Sequence, residues 1–149
     1  MKKEFDCVTE QQTAELATKL AAISQKGDIW ALSGTLGAGK SVFARAFVQS
    51  LCEAKEVPSP TFTLVQMYPT VNFMIYHYDL YRLKQPEEIF ELGIEEAFYD
   101  GVSLIEWPER AGVYLPRKSW QVNFVVEKDK RKIIVQAVNE EQNGRLQNV

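Results

Sequence analysis

Gly34-Thr35-Leu36-Gly37-Ala38-Gly39-Lys40-Ser41 decides how this chain is read, because it fits G-x-x-x-x-G-K-[ST] at every position. Upstream, Asp28-Ile29-Trp30-Ala31-Leu32-Ser33 reads as a short buried strand. Downstream, Phe43, Phe47, Val48 and Leu51 recur with helical period. Strand, glycine-rich loop and helix is the order a phosphate cradle needs: glycines let the backbone close around phosphate oxygens, and the N–H groups at the helix start form an anion nest. Lys40 is expected to reach the β- and γ-phosphates of a nucleotide, and the Ser41 hydroxyl to offer Mg2+ one oxygen ligand. The expected nucleotide cradle comprises Gly34, Gly37, Ala38, Gly39, Lys40, Ser41 and Val42. Such a pattern arises by chance in about one chain of this length in two hundred, before its flanks are required.

Outward from the loop, Thr9-Glu10-Gln11-Gln12 reads as a capping box opening a helix that buries Leu16, Leu20 and Ile23 and stops at Gly27. Pro58 and Pro60 precede a strand expected over residues 61–68, rich in aromatic and β-branched side chains. Pro69-Thr70 turns it into a return strand over residues 71–78, ending at Asp79. One or two short helices follow in residues 86–98, interrupted by Gly93, and Val102-Ser103-Leu104-Ile105 is a compact buried strand. Residues 120–127 and 132–138 alternate apolar and polar around Lys128-Asp129-Lys130, which predicts a hairpin. The fold expected is α/β: a single P-loop NTPase-like domain over residues 1–139, with a mixed parallel/antiparallel sheet flanked by helices, and a polar C-terminal tail over residues 140–149. Trp120 suits a core or an interface equally.

Composition supports one domain. The 149 residues are 46% hydrophobic and 25% charged, enough for one sizeable core. A net charge of −3, with no block of Lys or Arg, disfavours a dedicated nucleic-acid binder. No segment approaches the ~18 uninterrupted apolar residues of a membrane span, and the start carries no signal-peptide run, so the expectation is a cytoplasmic protein without a membrane partner. Cys7 and Cys52 lack CxxC spacing and read as reduced thiols.

A phosphate loop also needs an acid on magnesium, usually at a strand end. Asp79 and Glu106 both qualify, and spacing does not choose between them. His77 alternates with Asp79 and so shares its face; beside aromatic residues it reads first as a structural hydrogen-bonding group.

Four segments together carry a resemblance: the loop itself, Ser59-Pro60-Thr61-Phe62, His77-Tyr78-Asp79-Leu80-Tyr81-Arg82-Leu83, and Ile105-Glu106-Trp107-Pro108. They resemble the TsaE family of bacterial P-loop ATPases, which assist synthesis of threonylcarbamoyladenosine in tRNA. The resemblance implies that Ser41 and Glu106 ligate Mg2+, that Lys40 holds phosphate, and that Asp79 acts near the γ-phosphate. It also implies a switch-like segment at residues 59–62 with Thr61 sensing that phosphate, Trp107 beside the nucleotide, and Glu10 and Thr13 bordering the adenine. Lys40, Thr61 and Asp79 are thus the catalytic candidates, ATP and Mg2+ the cofactors, TsaB and TsaD the partners, and tRNA an indirect one through their complex. Thr35 departs from the acidic residue the family often carries there, at a variable position of the motif.

The activity these readings suggest is magnesium-dependent ATP hydrolysis, slow alone and stimulated by partners, with Asp79 or Thr61 placing water. No arginine is obviously placed as a finger: Arg82, Arg110 and Arg117 are scattered. A small-molecule kinase is the alternative, although little length remains for an acceptor lid. A GTPase lacks an Asn-Lys-x-Asp motif, and a pure nucleotide-binding module is the non-enzymatic option.

Overall fold

The computed structural model describes residues 1–54 and 56–149. Seven strands form one sheet: β1 (Lys2–Cys7), β2 (Ile29–Gly34), β3 (Val65–Pro69), β4 (Met74–Asp79), β5 (Val102–Glu106), β6 (Trp120–Val126) and β7 (Arg131–Gln136), in spatial order β1-β7-β6-β2-β5-β4-β3. The centre, β6-β2-β5-β4, is parallel, and the flanking pairs β1-β7, β7-β6 and β3-β4 are antiparallel. The mixed sheet expected around the glycine-rich loop is therefore present, with parallel pairing where the loop leaves it.

Alternation along the strands sorts the side chains between two cores. Trp30 and Leu32 on β2, Leu104 on β5, and Val122 and Phe124 on β6 join Leu16 and Leu20 of α1 (Glu10–Ala22) and Phe43 and Phe47 of α2 (Lys40–Leu51). Trp120 is fully buried here, stacked on Trp30 with ring centroids 4.5 Å apart, so it serves the core. Each large side chain buried this way stabilises the fold by about 1.5–3 kcal/mol. On the opposite face Ile29, Tyr78 and Ile105 pack with Ile89 of a 3-10 segment, Pro86–Leu92, and with Ile94 and Ala97 of α3 (Ile94–Asp100). Gly93 separates those two helical pieces in a left-handed conformation, φ 70°.

The capping box forms as read: the Gln12 N–H donates to Thr9 Oγ1 at 3.2 Å, and the Gln12 side chain accepts from the Thr9 N–H. Helix α1 nevertheless ends at Ala22, capped by Ile23, which is only half-buried; Gly27 belongs to the turn that follows, at φ 90°.

The structure departs from the sequence reading at other places too. Residues 61–64 form a turn, closed by the Leu64 N–H on the Pro60 carbonyl with Leu64 at φ 69°, so β3 starts only at Val65. Val71 and Asn72 lie in the tight turn that Thr70 and Phe73 close on each other, which delays β4 to Met74. β1 carries no prediction at all, since Lys2–Cys7 alternates around mostly exposed side chains at the sheet edge. The segment read as a polar tail forms α4 (Glu140–Leu146), capped by Asn139. Its Leu146 is fully buried, and Arg145 forms a two-pronged ion pair with Asp28 at 2.6 and 2.9 Å. Among the described residues no helix is long and apolar enough to cross a membrane.

Candidate functional site

The site lies at the carboxyl ends of the parallel strands, where open α/β sheets bind ligands. β2 ends at Gly34, whose absent side chain is a steric necessity: a Cβ there would sit 2.7 Å from the Phe124 carbonyl oxygen of β6. Gly39 caps α2 in the left-handed region at φ 105°, and Ala38 is buried beneath the loop. The loop thus packs against β6 while its exposed side faces solvent.

Lys40 is the first residue of α2 and is buried. Its Nζ donates to the Gly34 carbonyl at 2.7 Å and lies 4.2 Å from the centre of the Trp107 ring. Burial pushes its pKa below the ordinary lysine value, against the opposing pull of Glu106, Glu109 and Asp79. Trp107 follows β5 in the left-handed region, φ 58°, which is rare for a bulky residue and turns its ring towards the loop. Tyr81 backs that ring, centroids 4.9 Å apart.

Register brings the two candidate acids side by side. Asp79 and Glu106 are paired across β4 and β5, and His77 and Asp79 share the α1/α2 face with Glu106. Each carboxylate has its own donor. Glu106 Oε2 lies 2.7 Å from His77 Nε2, both side chains being buried. Asp79 Oδ2 accepts from the Thr61 hydroxyl at 3.0 Å, Asp79 Oδ1 accepts from the Tyr81 N–H at 3.0 Å, and Thr61 Oγ1 in turn lies 2.8 Å from Ser59 Oγ. The segment at residues 59–62 is thereby tied to the end of β4.

A cleft of about 330 Å³ opens over the loop, at the small end of the range for ligand pockets. Of the residues singled out from sequence it brings together Gly37, Gly39, Lys40, Ser41, Val42 and Glu106, with Glu10 and Thr13 of α1 on the wall. Gly34 and Ala38 shape the loop from beneath, and Trp107, Thr61 and Asp79 stand outside the lining, Trp107 against Lys40 and Thr61 against Asp79. Two contributions carry no sequence prediction. The end of β1, Cys7 and Val8, forms part of the wall; the Cys7 thiol is pushed up by burial, opposed by its hydrogen bond with Thr13. Arg131, at the start of β7, reaches the loop and donates from Nη2 to the Gly37 carbonyl at 3.3 Å. No local motif announces Arg131; its place follows from the hairpin pairing alone.

Mg2+ demands oxygen donors and usually takes one or two from protein, with the rest from phosphate and water. Ser41 and Glu106 are such a pair on one cleft, and one Glu106 oxygen is already occupied by His77. Among the described residues no group of three or more His, Cys, Asp or Glu could form an all-protein metal cage. The donor set fits magnesium held jointly with a nucleotide.

Comparison with known proteins gives a consistent picture. A family model described as threonylcarbamoyl adenosine biosynthesis protein TsaE matches residues 7–134. The tRNA threonylcarbamoyladenosine biosynthesis protein TsaE of Rickettsia felis is 48% identical over 124 residues, covering 82% of this chain and 72% of the relative. Its namesake from Bacillus subtilis is 36% identical over 135 residues, covering 88% and 83%. Among solved structures, that of Bacillus subtilis YdiB superposes with a TM-score of 0.81 at 27% identity, covering 99% of this chain and 93% of that one.

Proposed function

The chain belongs to the TsaE family of threonylcarbamoyladenosine biosynthesis proteins, and from that premise we propose that it is a magnesium-dependent P-loop ATPase serving tRNA N6-threonylcarbamoyladenosine modification as an accessory subunit of the TsaB–TsaD assembly. The observation that carries the reading is the convergence of Lys40, Ser41 and Glu106 on one cleft over the glycine loop. Bound magnesium would neutralise charge on the phosphates and orient them.

The chain's own residues do the rest. The loop amides and Lys40 hold the polyphosphate; to do so the ammonium exchanges the Gly34 carbonyl for phosphate oxygens, with Trp107 stacked on its other side. Glu106 and Ser41 present the oxygens for the ion, and His77 fixes the Glu106 carboxylate. Asp79 accepts the Thr61 hydroxyl, which makes the turn at residues 59–62 the element that places a water against the terminal phosphate. Thr61, the side chain on Asp79, comes from a surface turn rather than a buried strand, so hydrolysis is slow until a partner repositions that turn against the phosphate. The protein acts in the cytoplasm and meets tRNA only through the assembly.

The test is phosphate release from ATP and from GTP by the chain alone, then with TsaB, TsaD and tRNA. Stimulation with ATP supports the reading; a rate indifferent to the partners counts against it. A phosphorylated metabolite formed without free phosphate would favour a kinase. Glu106→Ala should keep ATP binding and lose phosphate release.

A further inference from the structure

The β6–β7 hairpin brings three neighbouring cations to the rim of the sheet, and two of them are neutralised there. Lys130 lies 3.2 Å from Asp6 and 3.9 Å from Glu127; Lys132 lies 3.6 Å from Glu127 and 3.8 Å from Glu4. Arg131, between them, forms no ion pair among the described residues. Strand alternation places it on the same face as Ile133 and Val135, which are buried in the α1/α2 core, and therefore on the side of the phosphate loop. Half-buried, it lines the cleft with Lys40 and Ser41, and its one side-chain hydrogen bond among the described residues runs 94 residues back in sequence to the Gly37 carbonyl. A carbonyl aims a guanidinium but cancels none of its charge, and one such bond uses one of five donors. At 3.3 Å and exposed, it contributes too little on its own to explain a cation held at this rim.

We propose that Arg131 is a second phosphate-binding residue of the cleft. Its guanidinium, aimed by Gly37, grips the phosphates of a nucleoside di- or triphosphate from the β6–β7 hairpin while Lys40 grips them from α2. The planar fork suits paired phosphate oxygens better than an ammonium would. A bound polyphosphate then links the hairpin to the loop, so the β1-β7-β6 side of the sheet senses occupancy. The inference rests on reading the cleft as a nucleotide site.

Calorimetric binding of ATP, ADP and adenosine to the unmodified chain, Arg131→Gln, Arg131→Lys and Lys40→Ala tests it, with thermal melts as the control for folding. Arg131→Gln should weaken ATP and ADP by about tenfold or more, as expected for a lost charge-assisted bond, and leave adenosine unchanged. Its ATP affinity should also depend less steeply on salt. Arg131→Lys should recover part of the loss, and it carries the test should the glutamine variant fail to fold. Unchanged ATP affinity in Arg131→Gln, with Lys40→Ala having lost it, overturns the role of Arg131 and leaves the nucleotide site standing. Equal weakening of adenosine and ATP makes Arg131 a brace for the cleft as a whole rather than a phosphate ligand and overturns the proposal, as does an ATP loss whose salt dependence matches that of the unmodified chain. An unmodified chain that binds neither ATP nor ADP removes the nucleotide reading and this inference with it.

Discussion

Removing the Arg145 guanidinium should unfasten the end of the molecule opposite the phosphate loop. Arg145 of α4 reaches Asp28 with two hydrogen bonds of 2.6 and 2.9 Å, donates to the Ile23 carbonyl at 2.8 Å, and lies over the Trp120 ring at 5.3 Å. The pair is largely out of water, with 13% of the Arg145 side chain and 8% of the Asp28 side chain exposed. Breaking such a pair from one side costs about 3–5 kcal/mol, because the remaining charge stays buried. Asp28 still accepts from the Gln25 N–H at 2.8 Å, which argues for the lower end, about 3 kcal/mol. For a domain of this size that lowers the melting temperature by roughly 6–12 °C. Thermal unfolding of Arg145→Met, Asp28→Asn and the double variant measures it. The double variant should recover a substantial part of the single Arg145 loss, since its orphaned charge is gone. ATP affinity at 25 °C should stay put, because Asp28 precedes β2 at the end away from Gly34. An Arg145→Met chain melting within 2 °C of the parent, or strictly additive single losses, would refute the reasoning.

Three further outcomes follow from the site. Lys40 is held below the ordinary lysine pKa by burial, so ATP affinity should begin to fall at a lower pH than a free lysine would dictate; across the same window the nucleotide-free fold should gain stability as pH rises, because the unfolded chain binds more protons there. Binding isotherms and melts at stepped alkaline pH read both signs. Glu106→Gln keeps volume and a partner for His77 but removes the charge, so phosphate release should drop about a hundredfold or more while ATP still binds, checked by a coupled phosphate assay. Thr61→Val deletes the hydroxyl shared between Ser59 and Asp79; turnover should fall with ATP affinity preserved, and stability should fall by only about 1 kcal/mol in denaturant titrations.

How far the molecule could be read from its sequence depends on how local each signal is. The loop, its flanking strand and helix, the capping box at Thr9 and the β6–β7 hairpin are each written in one short contiguous stretch, and all are present. The strands start later than composition suggests, at Val65 and Met74, because Thr61 and Thr70 direct their hydroxyls to other partners and hold turns where β-branched composition favours strands. α4 escaped because its charged residues read as a solvated end, whereas what docks it is an acid 117 residues earlier and the single apolar Leu146. Arg131 escaped for the same reason: its relation to Gly37 exists only once β7 has paired with β6.

The two acids show what the fold adds to such a motif. Asp79 and Glu106 sit side by side on parallel strands, an arrangement that by itself sets like charges against each other. The structure gives them different company: Glu106 faces the cleft with Ser41 and is fixed by a buried imidazole, whereas Asp79 stands outside the cleft lining and is bound to a hydroxyl on a surface turn. A carboxylate gripped in the core suits a constant task such as holding an ion. One gripped by a turn changes its surroundings whenever that turn moves. Two neighbouring carboxylates, equally buried, are thereby given separate anchors, Glu106 an imidazole on the adjoining strand and Asp79 a hydroxyl on the turn at residues 59–62.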